Sequence, residues 1–226
     1  MRYIVKIYGI VQGIGFRPFI YNKANEFKIN GYVKNIGGAV LIDCSGEREN
    51  IKQFMFHIIK KPPELAKIEK VQCIPIKEDL QAAKNINKGN FVIKESNDEK
   101  NTVKIISQDI GTCPKCLEDI KKKGTSRFKY AFTNCTQCGP RYSITKALPY
   151  DRENTTMDDF TMCDECKKEY DNPNSRRFHA QPNCCKKCGP ELFLMNNEGE
   201  YIKCEDPVKE TIKFLEEGKI LAIKGI

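Results

Sequence analysis

A repeated pattern of cysteines in the second half of the chain constrains its fold more than any other feature. Four cysteines with the spacing C-x2-C, eighteen residues, C-x2-C occur twice, and the second set follows the first at an offset of fifty positions. Two cysteines three positions apart can direct both thiolates at one ion, and two such pairs complete a tetrahedral shell. Four thiolates suit zinc. The predicted ligands are Cys113, Cys116, Cys135, Cys138, Cys163, Cys166, Cys185 and Cys188.

The same offset repeats more than the cysteines. Arg127 returns as Arg177, and the Gly-Pro pair at 139–140 returns at 189–190. We therefore expect one small module that is copied twice in tandem. A zinc site within each copy is the simplest assignment of the ligands, and an interleaved arrangement of the two copies is the alternative.

The pattern favours a structural role for the metal. Zinc held by four cysteines keeps no open coordination position, whereas catalytic zinc does. Redox chemistry by the C-x2-C pairs is the alternative, but no thioredoxin-like βαβ pattern surrounds them. The repeat selects Cys185 rather than the adjacent Cys184 as a ligand, and His179 corresponds to Lys129. We therefore expect His179 on the surface or beside the ligands, not bound to the metal.

Residues 1–96 alternate between the patterns of strands and helices. RYIVKIYGI reads as a strand, a helix begins near Arg17-Pro18, and GYVKNIGGAVLIDCSG reads as two strands joined at Gly37-Gly38. A second amphipathic helix and further strands at 66–76 and 90–94 follow. The order βαββαβ predicts an α+β domain of the ferredoxin-like type.

A glycine-containing loop, GIVQGIGFRPF, links the first strand to the first helix. It lacks the GK[ST] sequence of a nucleotide P-loop. Successive backbone N–H groups can nevertheless hold a phosphate, and Gly13 and Gly15 let the backbone approach it closely. Arg17 can add a bidentate contact to two phosphoryl oxygens. A plain strand-to-helix turn with a surface arginine is the alternative.

Asn35, in GYVKN, lies on a strand that can pass near this loop. A carboxamide there could orient a water against phosphorus while Arg17 stabilises the equatorial oxygens. An uncharged group that holds the water implies a substrate with a good leaving group, such as an acyl phosphate. A purely structural role in the hairpin is the alternative for Asn35.

GIVQGIGFRPF followed by GYVKN resembles the acylphosphatase family, both in the two motifs and in the eighteen-residue offset from Arg17 to Asn35. The resemblance implies that Arg17 binds the phosphate and that Asn35 places the nucleophilic water. Ala39 stands where members of that family commonly carry glycine, which puts the geometry of the hairpin in question. The implied phosphate cradle comprises Gln12, Gly13, Ile14, Gly15, Phe16 and Arg17.

The segments FTNCTQCGPRYSITKALPYDRENTTM and RRFHAQPNCCKKCGP, after such a domain, resemble the N-terminal part of the carbamoyltransferases that mature [NiFe] hydrogenases. That resemblance implies that the first domain hydrolyses carbamoyl phosphate and that a YrdC-like domain adenylates the carbamate with ATP and Mg²⁺. The carbamoyl group then passes to the C-terminal cysteine of the protein HypE, where it becomes the source of cyanide ligands.

The resemblance also implies a division of the chain, and the last residues fit it. Asp206-Pro207 predicts the start of a helix, and KILAIKGI predicts a strand. An apolar terminal strand leaves a pairing edge unmet, so we expect a fragment of a longer protein. The expected parts are an acylphosphatase-like domain at 1–96, a linker at 97–108, zinc fingers at 109–149 and 150–200, and the start of a YrdC-like domain at 201–226.

Composition narrows the cellular setting and leaves one other function open. No run approaches the roughly 20 apolar residues of a membrane span, and the N-terminus reads as a strand, so we expect a soluble cytoplasmic protein without a membrane partner. The net charge of +8 admits the alternative of a zinc-ribbon RNA-binding module with a non-catalytic α/β platform. Phe128, Tyr130 and Phe132, beside the lysines at 121–123, are the residues for such a surface.

The metal content tests the cysteine assignment directly. We expect the purified chain to contain about two zinc ions, with eight of its twelve thiols protected from a thiol reagent until a chelator is added. Atomic absorption and thiol titration measure both quantities. Fewer than two ions, with those eight thiols freely titratable, would contradict the assignment.

Overall fold

A five-stranded sheet with two helices packed on one face forms the first part of the molecule. The structure is a computed structural model, and it describes residues 1–76, 90–96 and 106–224. The strands are β1 (Arg2–Ile10), β2 (Asn30–Ile36), β3 (Ala39–Ser45), β4 (Lys67–Ile76) and β5 (Phe91–Ile93), and the helices are α1 (Phe16–Glu26) and α2 (Arg48–Lys60).

The strand order β4-β1-β3-β2-β5 confirms the predicted ferredoxin-like α+β fold. β1 pairs antiparallel with β3 and β4, β2 pairs antiparallel with β3, and β5 runs parallel to β2. The register places Tyr8 of β1 opposite Ala39, and Ala39 opposite Ile36. The loop after β1 and the side chain of Asn35 therefore lie at the same edge of the sheet.

Alternate residues of the strands fill a single core under the two helices. Val5 and Ile7 of β1 are fully buried against Ile20 of α1 and against Phe54 and Ile58 of α2. Alternation places successive strand side chains on opposite faces, so every second residue of a strand points into this core. This packing holds the start of α1, and with it the glycine loop, in a fixed position over the sheet.

The backbone of the second part confirms the tandem repeat. α3 (Pro114–Lys121) and α4 (Asp164–Asp171) each begin directly after the first cysteine of a C-x2-C pair. Lys129 and His179, fifty positions apart, both adopt positive φ, with values of 56° and 52°. The N–H of each donates to the last turn of the preceding helix.

The C-terminal residues follow the prediction only in part. α5 (Pro207–Glu216) begins after Asp206, whose carboxylate accepts hydrogen bonds from two backbone N–H groups of the first turn, as a helix N-cap does. The strand predicted from residue 219 onward is wrong for 219–224, which are irregular. A strand requires a paired neighbour, and none of the described strands lies beside these residues. A short hairpin of β6 (Leu194–Met195) and β7 (Tyr201–Ile202) precedes α5.

Two further sequence-based expectations concern segments between the main elements. Most of the predicted linker at 97–108 falls outside the described residues, which resume at 106. Among the helices of the described residues, none combines the length and apolar character of a membrane span.

The pairing of β2 with β3 can be tested at Gly31. Its φ is 134°, and a Cβ at this position would lie 1.9 Å from the carbonyl oxygen of Asp43. Gly31→Ala is therefore expected to lower the free energy of unfolding by about 3 kcal/mol in urea titrations followed by circular dichroism.

Gly111→Ala is the matched control, since a Cβ there meets no atom of the described residues within 4 Å. The control is expected to change the free energy of unfolding by less than about 1 kcal/mol. Equal stability of the two variants would contradict this strand pairing.

Candidate active site and metal centres

The loop between β1 and α1 presents backbone donors at the start of a helix. Gly13 and Gly15 adopt positive φ of 72° and 74°, and Gly15 caps α1 without a side-chain hydrogen bond. Within the described ranges, the N–H groups of Gly13, Ile14 and Gly15 make no hydrogen bond to the protein. Donors of this kind at a helix N-terminus bind anions, so the geometry fits the predicted phosphate cradle.

The remaining cradle residues anchor the loop. The side chains of Ile14 and Phe16 are buried in the core under α1. The Gln12 amide donates to the carbonyl oxygens of Gly37 and Ala39 at 2.8 and 3.0 Å. Ala39 is fully buried and paired in regular register, so alanine does not distort the hairpin at this position. The Gln12 side chain thus holds the loop to the hairpin. The residues of the loop can therefore offer an anion only their backbone N–H groups.

Arg17 and Asn35, the predicted catalytic pair, line the same cleft beside the loop. Asn35 is 1% exposed and Arg17 is 8% exposed. The Asn35 amide Nδ2 donates to the carbonyl oxygen of Tyr150 at 3.5 Å, and its Oδ1 has no hydrogen-bond partner among the described residues. An unpaired buried amide oxygen costs about 1–3 kcal/mol, and such groups are characteristic of functional sites. This oxygen is available to accept a hydrogen bond from a water in the cleft.

A segment between the two fingers closes the cleft, and the sequence did not predict it. The Arg17 guanidinium donates through Nη2 to the carboxylate of Asp151 at 2.5 Å and to the carbonyl oxygen of Tyr150 at 3.4 Å. Its Nη1 donates to the Ser96 hydroxyl at 3.2 Å. The Tyr150 N–H donates to the side-chain oxygen of Gln12 at 3.2 Å. The finger module therefore contacts both the arginine and the loop of the predicted phosphate site.

Arg141 forms a second contact between the finger module and the glycine loop. It is 1% exposed, and its Nε donates to the carbonyl oxygen of Gly13 in a very short hydrogen bond. The rest of the guanidinium donates to carbonyl oxygens of the finger itself, at distances of 2.7 to 3.2 Å. Those acceptors are Cys135, Thr136, Cys138 and Pro140.

A signal for these contacts exists in the sequence, in the places where the repeat is broken. The fifty-residue offset carries Arg141 onto Glu191, and it carries Tyr150-Asp151 onto Glu200-Tyr201. The docking residues Arg141, Tyr150 and Asp151 therefore occur in one copy only. The cysteines of the metal sites, by contrast, are shared by both copies.

Burial and charge set the ionisation of the groups around the cleft. Burial, followed by the nearby charge of Arg17, lowers the pKa of His179 to about 4, so its imidazole is neutral at pH 7. Burial raises the pKa of Tyr150 to about 12, although Arg141 opposes this shift. His179 lines the cleft, half-buried, and does not belong to either cysteine cluster, which is consistent with its exclusion as a ligand.

The eight predicted ligands form two clusters, each made of the four cysteines of one copy. The distances between sulfur atoms are 3.8 Å for Cys113–Cys135 and for Cys135–Cys138. The equivalent distances in the second copy are 3.7 and 3.8 Å. Zinc–sulfur bonds of about 2.3 Å in a tetrahedron place the sulfurs about 3.8 Å apart, whereas a disulfide would place them at about 2.05 Å. The clusters fit two zinc ions held sequentially, and Cys184 lies outside them.

The two fingers are joined by ion pairs that cross from one copy to the other. Arg127 of the first copy donates to Glu169 on α4 at 2.5 Å, and its repeat counterpart Arg177 donates to Asp119 on α3 in a very short hydrogen bond. Asp119 and Glu169 are themselves counterparts at the fifty-residue offset. The reciprocal pairs join the two fingers into one unit.

The aromatic residues of the alternative RNA surface lie largely inside this unit. Tyr130 is 6% exposed, its hydroxyl donates to the carbonyl oxygen of Pro190, and its ring packs edge-on against Phe132. Stacking of bases requires exposed ring faces. None of the contacts in the described residues favours the RNA-binding alternative.

The fold and the cleft define a class of protein: an α/β domain of the acylphosphatase type whose anion loop is covered by a pair of four-cysteine fingers. Comparison with known families agrees with this. The acylphosphatase family matches residues 3–93, and the HypF finger family matches residues 112–145 and 162–195. An acylphosphatase of Oceanobacillus iheyensis is 37% identical over 86 residues, which are 94% of that protein.

Longer relatives match the whole chain. The probable carbamoyltransferase HypF of Methanocaldococcus jannaschii is 42% identical over 100% of this chain and 29% of its own length. The crystal structure of a full-length HypF in the phosphate- and nucleotide-bound form superposes with a TM-score of 0.89 at 39% identity, over 100% of this chain and 28% of that one. The chain belongs to the acylphosphatase family through its first domain, and it has the architecture of the N-terminal part of the HypF carbamoyltransferases. It spans a little over a quarter of the length of those relatives.

The docking role of Arg141 can be tested by removing its charge. Arg141→Met leaves the loop carbonyl and several finger carbonyls without a donor in a buried environment, so we expect the free energy of unfolding to fall by about 3 kcal/mol. Urea titration of the zinc-loaded protein measures this change, with zinc content checked in parallel.

Arg48→Met is the matched control, because Arg48 lies exposed at the start of α2. The control should stay within about 0.5 kcal/mol of the unmodified protein. A similar small effect of Arg141→Met would contradict the docking role.

Proposed function

We propose that the cleft between the loop and β2 hydrolyses acyl phosphates and that carbamoyl phosphate is its substrate in the intact protein. The observation that carries this proposal is the buried, unpartnered Oδ1 of Asn35 in the same cleft as Arg17 and the loop amides. In-line attack on a phosphoryl group requires an anion-binding site next to a hydrogen-bond acceptor that can position one water.

In the proposed mechanism, the N–H groups of the loop and the guanidinium of Arg17 bind the phosphoryl oxygens. Asn35 accepts a hydrogen bond from a water and orients its oxygen toward phosphorus. The water attacks, the bond from phosphorus to the acyl oxygen breaks, and the acyl group leaves as a carboxylate while the proton of the water passes to phosphate or solvent. Carbamoyl phosphate would thus yield carbamate and inorganic phosphate.

No protein group with a shifted pKa is needed to protonate the leaving group. A carboxylate or carbamate is a weak base, so it departs without a general acid, unlike the alkoxide from an alkyl ester. The neutral asparagine matches this requirement because it positions the water without removing its proton in advance. Catalysis then rests on positioning and on stabilisation of the phosphoryl charge.

The comparisons support the proposal that this hydrolysis is one step of a carbamoyl transfer. Relatives that match the whole chain are named carbamoyltransferases, and one is described in a phosphate- and nucleotide-bound form. We propose that carbamate released here is activated with ATP and Mg²⁺ in the remainder of the full-length protein and transferred to HypE. We further propose a cytoplasmic location, where reduced thiols suit zinc sites of four cysteines. Bound zinc would fix the fingers in shape and offer no open position for catalysis.

The catalytic pair is tested by release of phosphate from carbamoyl phosphate. Arg17→Ala removes the main cationic contact to the phosphoryl group, and Asn35→Ala removes the group that orients the water. We expect kcat/KM to fall by about 1,000-fold for Arg17→Ala and by at least about 100-fold for Asn35→Ala. A colorimetric assay of inorganic phosphate measures both.

Arg48→Ala and Asn25→Ala are matched controls, because both residues are exposed and neither lines the cleft. They should retain the activity of the unmodified chain. Full activity of Arg17→Ala or Asn35→Ala, with the controls also active, would refute the assigned roles.

A further inference from the structure

The arginine of the predicted phosphate site already holds an anion that belongs to the protein. The Arg17–Asp151 pair has an N–O distance of 2.5 Å, and its side chains are 9% and 16% exposed. An ion pair shielded from water to this degree is stronger than one on the surface, because solvent screens it less. A substrate phosphate therefore meets a guanidinium whose preferred partner is a carboxylate of the finger module.

The geometry of the guanidinium makes the two anions compete for the same nitrogen. A bidentate contact uses either the two terminal nitrogens or Nε together with Nη2, so both possible edges include Nη2. The two N–H bonds of Nη2 point to Asp151 at 2.5 Å and to the carbonyl oxygen of Tyr150 at 3.4 Å. A phosphate cannot take either edge of Arg17 without displacing one of these acceptors.

The space in the cleft leads to the same conclusion. Its volume is about 20 Å³, which is comparable to the room needed for a single ordered water. The walls opposite the loop come from the finger module, through Tyr150, His179 and Gln181. A phosphoryl group and its acyl substituent require that these walls move away from the loop.

The segment that carries Asp151 is held by the second finger, whereas its contacts with the catalytic pair are long except for one ion pair. Arg152 donates through Nη1 to the carbonyl oxygens of Gln181 and Asn183 at 2.6 and 3.0 Å. On the other side, the contacts of the Tyr150 carbonyl with Arg17 and Asn35 measure 3.4 and 3.5 Å. Within the described part of the chain, the Arg17–Asp151 pair is the one short charged contact from this segment to the catalytic pair.

We propose that the carboxylate of Asp151 competes with the substrate phosphate for the guanidinium of Arg17, so that substrate binds as the segment 148–151 moves away from Arg17. Asp151 thereby sets the affinity of the site for phosphate, and binding is coupled to movement of the finger module. This inference rests on the proposed function and adds a residue from outside the acylphosphatase-type domain to its site.

Binding of inorganic phosphate to the zinc-loaded chain tests the competition without any turnover. Isothermal titration calorimetry at fixed ionic strength would compare the unmodified chain with Asp151→Asn, which keeps the shape of the side chain and removes its charge. We expect the Kd for phosphate to fall about tenfold, which is the order of one charged hydrogen bond. Asp159→Asn is the matched control, since its side chain is 74% exposed in the same inter-finger region, and its Kd should not change.

Three further variants separate charge from packing. Asp151→Glu keeps the competing charge and should bind phosphate about as weakly as the unmodified chain, while Asp151→Ser provides a second neutral variant in case Asp151→Asn does not fold. Arg17→Ala combined with Asp151→Asn should lose the gain in affinity. An unchanged or higher Kd for a folded neutral variant would overturn the proposal, because it would mean that Asp151 orients Arg17 for the substrate.

The two proposals fail in different ways. If the unmodified chain releases no phosphate from carbamoyl phosphate but its neutral variants still bind inorganic phosphate more tightly, the hydrolase function fails and the competition stands. If phosphate release depends on Arg17 and Asn35 while the neutral variants gain no affinity, the function stands and the role of Asp151 is refuted.

Discussion

The buried guanidinium of Arg141 determines how the two parts of this molecule fit together. It donates at once to the glycine loop of the α/β domain and to carbonyl oxygens around the first cysteine cluster. A buried cation with several backbone acceptors has few alternative positions, so it fixes the distance between the loop and the finger. The position of Tyr150 and Asp151 over the cleft follows from this docking. The proposed phosphate site is consequently built by both parts of the chain.

The zinc clusters and the cleft depend on each other through the same contacts. Metal binding defines the shape of segments that have little apolar core of their own, since the buried clusters around Cys116 and Tyr130 are small. Reciprocal pairs between Arg127 and Glu169 and between Arg177 and Asp119 then make the two fingers a single unit. Because this unit carries the walls of the cleft, a structural metal can influence the chemistry without taking part in it.

The sequence predicted the elements whose signals are local. Strand alternation, the Gly37-Gly38 turn and the cysteine spacing each depend on neighbouring residues, and the structure confirms the fold and the repeat. The offset between Arg17 and Asn35 was informative because it matches a known family. The contacts of Asp151 and Arg141 were missed, since they join residues more than 120 positions apart with no periodic pattern. The strand expected after residue 218 was wrong at 219–224, because an apolar alternating segment needs a partner that the pattern cannot supply.

The central claim is that one guanidinium serves two anions in turn, the carboxylate of the finger module and the phosphoryl group of the substrate. A crystal structure of the zinc-loaded chain with inorganic phosphate tests it most directly. The account predicts phosphate against Arg17 and the N–H groups of the loop, with the Asp151 carboxylate moved out of contact with Nη2. Phosphate bound in the cradle beside an intact Arg17–Asp151 pair, or bound elsewhere, would contradict it.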